Sequence, residues 1–98
     1  MSNMLTVYLE ITLKSNAADR NVVLSLYHKF KSPFLDQIKG AVSIELLISD
    51  EDFQLLHSFE TLDDAQAYLS TELYNNDILV ALKPLLLDNP VVKIYSVA

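Results

Sequence analysis

The chain has 98 residues, a net charge of −6, a single glycine and no cysteine. A chain of this length builds one core, so we expect a single domain over residues 1–98. The acidic balance predicts no nucleic-acid partner, the lack of cysteine excludes thiol and disulfide chemistry, and one glycine cannot build a phosphate-cradling loop.

The apolar residues bear on whether the chain meets a membrane or a second copy of itself. The longest apolar run, residues 78–87, is too short to cross a bilayer and is interrupted by Lys83 and Pro84, so we expect no membrane partner. No signal segment precedes the first strand, and the cytoplasm is therefore expected. Half of the residues are apolar (51%), which is high for a small domain and favours a surface that meets a second copy of the chain.

The first half of the chain begins with a strand and a helix. Apolar and polar residues alternate over residues 5–14, which predicts a half-buried strand. Apolar residues at helical spacing over residues 22–34 then predict an amphipathic helix. We expect Pro33 to break this helix, leaving a short second piece, and Gly40 to end it in the left-handed conformation.

A hairpin follows. Apolar residues alternate over residues 42–48 and again over residues 53–60, on either side of the acidic turn 50–52. Two such runs joined by a short polar turn predict paired antiparallel strands.

The second half predicts a helix and a last strand. Thr61 and Asp64 resemble a helix-capping box, and residues 62–73 have helical spacing. Residues 75–77 (Asn-Asn-Asp) predict a break and a new helix start. Residues 91–97 predict the final strand.

The resulting order, strand-helix-strand-strand-helix-strand, is that of the α+β ferredoxin-like fold. It predicts a four-stranded antiparallel sheet with the helices on one face. The opposite, open face carries a mixture of side chains that includes Tyr8, Leu47 and Leu56. Such a face needs cover, and pairing with a second sheet provides it.

Residues 59–69 have a pattern of their own. A strand ends in an aromatic residue and an acid, and the helix that follows has an Asp-Ala pair in its first turn. With the element order, and with residues 82–87 leading into the last strand, this stretch resembles the dimeric α+β barrel superfamily. Within it, the chain looks like the antibiotic-biosynthesis-monooxygenase type.

The resemblance implies a homodimer in which two sheets, joined through their open faces, form a barrel. It also implies a small hydrophobic or aromatic ligand between each sheet and its own helices. Chemistries of the superfamily include cofactor-free oxygenation of phenolic substrates, haem degradation and sugar-phosphate isomerisation. The chain has no tryptophan, which some of the oxygenases use, and no histidine in residues 63–87, where haem-degrading members ligate iron. We therefore expect no haem and no other cofactor.

His57 is the candidate catalytic residue. It shares its parity with Phe53, Leu55 and Phe59, which places it beneath the helices. A neutral imidazole there would serve as a general base on a phenol or enol, because its ordinary pKa lies near neutral pH. A core histidine bonded to a hydroxyl or a backbone group is the more frequent arrangement, and the pattern fits both.

Three tyrosines on the helices are candidates for the wall of a ligand cavity: Tyr27, Tyr68 and Tyr74. Their rings would stack on an aromatic ligand and their hydroxyls would bond it. Ordinary amphipathic packing, with the hydroxyls at the surface, gives the same spacing.

The remaining charged residues predict no metal site. Glu10 and Glu45 lie on the open face, where we expect the third strand to separate them and Lys93 or a residue across the dimer interface to pair with them. The acids of residues 50–52 point in different directions and are not followed by a calcium-type loop. His28 is expected in solvent, and two distant histidines cannot form a histidine-rich site.

Three functions fit these residues. The first is a cofactor-independent monooxygenase acting on a small aromatic or polyketide-like molecule, with His57 as the base. The second is a non-catalytic protein that binds such a ligand, and the third is a structural dimer whose own side chains fill the cavity.

Overall fold

The structure is a computed structural model that describes residues 7–50 and 52–97. Four strands form one antiparallel sheet in the order β2-β3-β1-β4. The strands are β1 (Val7–Leu13), β2 (Ala41–Ile48), β3 (Phe53–Phe59) and β4 (Val91–Ser96). The helices are α1 (Arg20–Gln37), α2 (Leu62–Tyr68) and α3 (Leu79–Leu82), with a π-helical turn at Leu73–Ile78 and 3₁₀ turns at Ala17–Asp19 and Lys83–Leu85. The predicted α+β ferredoxin-like fold is confirmed.

The two faces of the sheet differ as the alternation predicts. In β1, every residue of one parity is buried, from Val7 to Leu13, and every residue between them is half-buried. The buried parity packs against α1, α2 and the π-helical turn in one core. The first two predicted residues of this strand, Leu5 and Thr6, lie outside the described residues.

The edge strand β2 departs from its predicted face at both ends. The alternation over residues 42–48 predicts that Val42 and Ile48 lie under the helices, but their side chains are 56% and 49% exposed. The register of β2 against β3 shifts between Ala41 and Ser43, and this bulge turns Val42 away from the core. Ile48 is the last residue of an edge strand, beyond the buried Ile44.

The prediction that Pro33 breaks the first helix is wrong. The helix α1 runs unbroken from Arg20 to Gln37 with Pro33 inside it. An interior proline costs roughly 3 kcal/mol. The next residue, Phe34, is fully buried, and its ring contacts His57, Phe59 and Tyr68. Burial of a phenylalanine contributes roughly 1.5–3 kcal/mol, and its aromatic contacts add to that, which offsets the proline.

Gly40 adopts the predicted left-handed conformation, with φ of +76°, but one position later than expected. The prediction places Gly40 directly after the C-cap of α1. The C-cap is Ile38, so Lys39 directly follows it and Gly40 is the next residue. The Gly40 carbonyl accepts a hydrogen bond from the backbone N–H of Glu60 (2.9 Å), and a Cβ at this position would collide with the Asp64 side chain. The glycine therefore permits α1, β2 and the start of α2 to meet.

The second helical region breaks earlier than predicted. The cap by Thr61 is confirmed, because its hydroxyl accepts from the backbone N–H of Asp64 (3.1 Å). The interruption lies between α2 and the π-helical turn, at Thr71, whereas residues 75–77 sit inside that turn. Asn75 reaches back to the interruption, because its amide donates to the carbonyls of Leu69 (2.9 Å) and Thr71 (3.0 Å). An amide that bonds the carbonyls at the interruption in this way joins two helical pieces instead of separating them.

Candidate functional site

A cavity lies between the sheet and the helices. It is lined by aliphatic residues and phenylalanine, apart from four side chains with polar atoms: Tyr27, His57, Tyr68 and Tyr74. The structure thus brings all four predicted site residues to one cavity. Its volume is about 30 Å³, which is room for roughly two water molecules.

His57 occupies the sheet side of this cavity. It lies in β3, opposite Leu9 of β1 and Ile44 of β2, and its side chain is 1% exposed. Its Nδ1–H donates to the backbone carbonyl of Leu9 at 3.0 Å. A carbonyl only accepts, so the proton of the neutral ring resides on Nδ1 and the lone pair on Nε2.

Burial keeps this imidazole neutral. It lowers the pKa of His57 from 6.5 to about 4, and the carbonyls of Leu9 and Leu55 oppose the shift only in part. Phe34 meets the ring edge-on at a centroid distance of 5.1 Å, and Phe59 stacks on it at 6.4 Å. At neutral pH the residue is therefore an acceptor in apolar surroundings.

The hydroxyl of Tyr68 is the group of the site that packing does not explain. Tyr68 ends α2, its side chain is 1% exposed, and its hydroxyl has no hydrogen-bond partner among the described residues. Burial and the neighbouring Tyr74 raise the pKa of its phenol, so the hydroxyl keeps its proton. The ring lies 5.3 Å from that of His57. A buried hydroxyl without a partner is costly and is uncommon in native proteins.

Tyr74 stands beside Tyr68 on the π-helical turn. The ring centroids are 5.1 Å apart, and burial raises the pKa of the Tyr74 phenol. Thr71 fixes the two residues relative to each other. Its hydroxyl donates to the Tyr68 carbonyl (2.7 Å) and accepts from the backbone N–H of Tyr74 (3.2 Å). The wide turn places Leu73, Tyr74 and Ile78 all in the core.

Tyr27 has a different role from the other two tyrosines. Its ring lines the cavity, but its hydroxyl donates to the Ile44 carbonyl at 3.0 Å and so ties α1 to β2. The hydroxyl is therefore already engaged, and Tyr27 contributes only its ring to the cavity wall.

The charged candidates lie away from the cavity. Glu10 and Glu45 both stand opposite Leu56, one on each side of β3, and are thus separated as predicted. Glu10 also stands opposite Lys93 in β4. His28 is exposed on α1. No group of three potential metal ligands occurs among residues 7–50 and 52–97.

In the same ranges, none of the helices has the length and apolar character that a bilayer crossing needs.

Sequence reasoning missed three residues that shape the site. Phe34 was assigned to a separate helical piece, although it packs on His57. Thr71 was not recognised as the residue that orients both buried tyrosines, although a threonine at a helix start is a common signal. The carbonyl of Leu9 is invisible in a sequence pattern, because any residue would supply it.

Comparison with known proteins supports the fold. Neither a protein-family model nor a curated protein sequence matches the chain. An antibiotic biosynthesis monooxygenase of known structure superposes with a TM-score of 0.73 at 10% identity, covering 94% of this chain and 98% of that chain. A "putative antibiotic biosynthesis monooxygenase" from Bordetella bronchiseptica gives a TM-score of 0.84 at 10% identity, covering 96% and 98%. The protein Rv0793 from Mycobacterium tuberculosis gives 0.77 at 15% identity, covering 95% of each chain.

These likenesses confirm the predicted resemblance at the level of the fold. The chain has the ferredoxin-like α+β fold of the antibiotic-biosynthesis-monooxygenase-like proteins. At identities of 10–15% they concern the fold alone. Any activity has to be argued from the residues of this chain.

Proposed function

We propose that the protein is a cofactor-independent monooxygenase that acts on a small aromatic or polyketide-like molecule bound in the cavity. The observation that carries the proposal is the pair formed by His57 and Tyr68. The ring centroids of the neutral imidazole and of the Tyr68 phenol lie 5.3 Å apart, and the buried Tyr68 hydroxyl has no hydrogen-bond partner among the described residues. An apolar cavity lined by a few residues with polar groups is the usual form of a ligand site.

Each residue has a role in this reaction. A phenolic substrate such as 1-naphthol gives its hydroxyl proton to Nε2 of His57, while the Tyr68 hydroxyl donates a hydrogen bond to the phenolate oxygen that develops. The electron-rich ring reduces molecular oxygen. One oxygen atom bonds to a ring carbon, and the other leaves as water with the hydroxyl hydrogen and the hydrogen of that carbon, so that the products are a naphthoquinone and water.

The size of the cavity favours a second candidate, a non-catalytic binding or structural protein. Ligand sites usually measure about 300–1,000 Å³, and this cavity is about 30 Å³. A histidine with a pKa near 4 is also a weak base toward a phenol. On the monooxygenase proposal, the cavity therefore has to widen to admit the substrate.

The open face of the sheet supports a homodimer. It carries apolar side chains that are about half exposed, among them Leu47 (45%), Val91 (53%) and Tyr95 (46%). Tyr95 stands opposite Tyr8 on the same face. A second copy of the sheet would remove this surface from water, at roughly 25 cal/mol per Å² of apolar area.

Oxygen uptake tests the proposal. The wild-type protein is mixed with 1-naphthol in an oxygen electrode, and the product is identified by mass spectrometry. We expect naphthoquinone formation that His57→Gln abolishes and that His28→Gln, which changes an exposed histidine, leaves intact. Binding of 1-naphthol without oxygen uptake would favour the non-catalytic candidate, and absence of both would favour a structural role.

A further inference from the structure

Leu79 forms a wall shared by two spaces in the molecule. On one side it lines the His57 cavity, and on the other it lines an open groove of about 500 Å³. Among the described residues, it is the one side chain that borders both spaces. Moving this side chain would therefore join the cavity to the groove.

The groove on the outer side of Leu79 has a mixed lining of four apolar residues and three polar ones, Lys83, Asp88 and Asn89. Leu86, Leu87 and Pro90 contribute aliphatic surface, and Leu87 is 59% exposed. Lys83 and Asp88 stand among them. Exposed apolar surface of this kind gives an apolar molecule a favourable place to leave water before it enters the core.

Leu79 is less deeply buried than the residues beside it in this wall. Its neighbours Ile78 and Leu82 are 6% and 4% exposed, whereas Leu79 is only partly buried. It is the first residue of a four-residue helix and follows directly on the π-helical turn Leu73–Ile78. A π-helical turn is a rare, less favourable arrangement that occurs often at functional sites. The Leu79 N–H donates to the Tyr74 carbonyl and the Leu79 carbonyl accepts from the Lys83 N–H, and a rotation of the Leu79 side chain leaves both bonds intact.

We propose that Leu79 is the gate through which a small apolar molecule passes from the groove into the His57 cavity. The identity of the natural ligand rests on the proposed function, but the path itself rests on the two spaces and their common wall. A gate of this kind also reconciles a cavity of about 30 Å³ with a larger substrate, because displacement of Leu79 adds the space of the groove.

Xenon tests the gate without reference to a substrate, since it binds apolar cavities without needing polar partners. Methyl NMR spectra under xenon pressure report binding at Ile11, Val23 and Leu55, which line the cavity. We expect Leu79→Ala to accelerate xenon exchange by about tenfold or more, because the smaller side chain lowers the activation barrier to passage between the groove and the cavity. Leu79→Val should give an intermediate rate and guards against failure of the alanine variant to fold. Val80→Ala, at a neighbouring exposed position, should exchange xenon like the wild type.

Three results would separate the ideas. Unchanged exchange in both Leu79 variants would overturn the gate and leave ligand binding in the cavity intact. Absence of xenon shifts at the cavity methyl groups in every variant would also overturn it. Xenon entry controlled by Leu79, together with a failure of 1-naphthol to shift the same methyl groups, would support the gate and count against the proposed function.

Discussion

The Nδ1–H of His57 donates to the backbone carbonyl of Leu9 across the β3–β1 pair, at 3.0 Å. The bond fixes which ring nitrogen carries the proton and holds the imidazole against the sheet. It is not strong enough to overcome burial, since the pKa of His57 still falls to about 4. The same hydrogen bond thus gives Nδ1 a partner inside the core and leaves Nε2 as the acceptor of the ring.

Stability should depend on pH through His57. Its pKa is 6.5 in the unfolded chain and about 4 in the folded one, so between these values the unfolded state binds the proton first. The free energy of unfolding should therefore fall by about 3 kcal/mol as the pH drops from about 6.5 to 4. Urea denaturation at a series of pH values measures this change.

Acid acts on the rest of the chain as well, so the test is the difference between variants. His57→Phe should remove the contribution of His57 and flatten the profile between pH 6.5 and 4, whereas His28→Phe should not. Identical profiles for the wild type and His57→Phe would mean that the imidazole is not buried in the neutral form.

Two tyrosine-to-phenylalanine changes should have opposite effects on stability. Tyr27→Phe removes a hydroxyl that bonds the Ile44 carbonyl, and should cost about 1 kcal/mol. Tyr68→Phe removes a buried hydroxyl without a partner among the described residues, and should leave stability unchanged or raise it. Thermal unfolding of both variants provides the comparison.

The Tyr68 hydroxyl should matter for binding instead. Titration calorimetry with 1-naphthol should show weaker affinity for Tyr68→Phe than for the wild type. A Tyr68→Phe variant that is clearly destabilised would show that the hydroxyl bonds a structural water or a protein group, and the argument for a ligand site would lose its main support.

Thr71→Val should loosen the junction between α2 and the π-helical turn. The substitution keeps the shape of the side chain but removes the hydroxyl that bonds Tyr68 and Tyr74, at a cost of about 1 kcal/mol. Ser70→Ala, one residue earlier and exposed, serves as the control. Equal unfolding free energies for the two variants would contradict the role given to Thr71.

Dimer formation should depend on the open face of the sheet. Tyr95→Glu places a charge on that face and should give a monomer, because a buried unpaired carboxylate is costly. Val80→Glu adds the same charge at an exposed helical position and should leave the dimer intact. Light scattering during gel filtration measures the mass of each variant. A dimer that tolerates Tyr95→Glu would place the interface elsewhere.

The sequence predicts the sheet well, because alternation of side chains directly reports the two faces of a strand. Strand order follows from the order of the elements, and the parity of His57 correctly places it beneath the helices. The helices are predicted less well. Pro33 and residues 75–77 both carry strong local signals for a helix break. The signal at Pro33 is overridden by the packing of Phe34 on His57, which is distant in sequence. The signal at residues 75–77 is overridden by the Asn75 amide, which reaches back along the chain to Leu69.

The details of the site escape the sequence for a related reason. Nothing local distinguishes the hydroxyl of Tyr27, which bonds a backbone carbonyl, from that of Tyr68, which has no such bond among the described residues. The difference arises only when α1 and α2 are placed on the sheet. The volume of the cavity likewise depends on how all the surrounding side chains pack together.

The most direct test of the central claim is ¹⁵N NMR of the His57 imidazole at pH 7, recorded with and without 1-naphthol. We expect a neutral ring with the proton on Nδ1, and a shift of the Nε2 resonance when the ligand is added. An Nε2 resonance that does not respond to a ligand known to bind would contradict the claim that His57 faces the substrate, and would leave it as a histidine of the core.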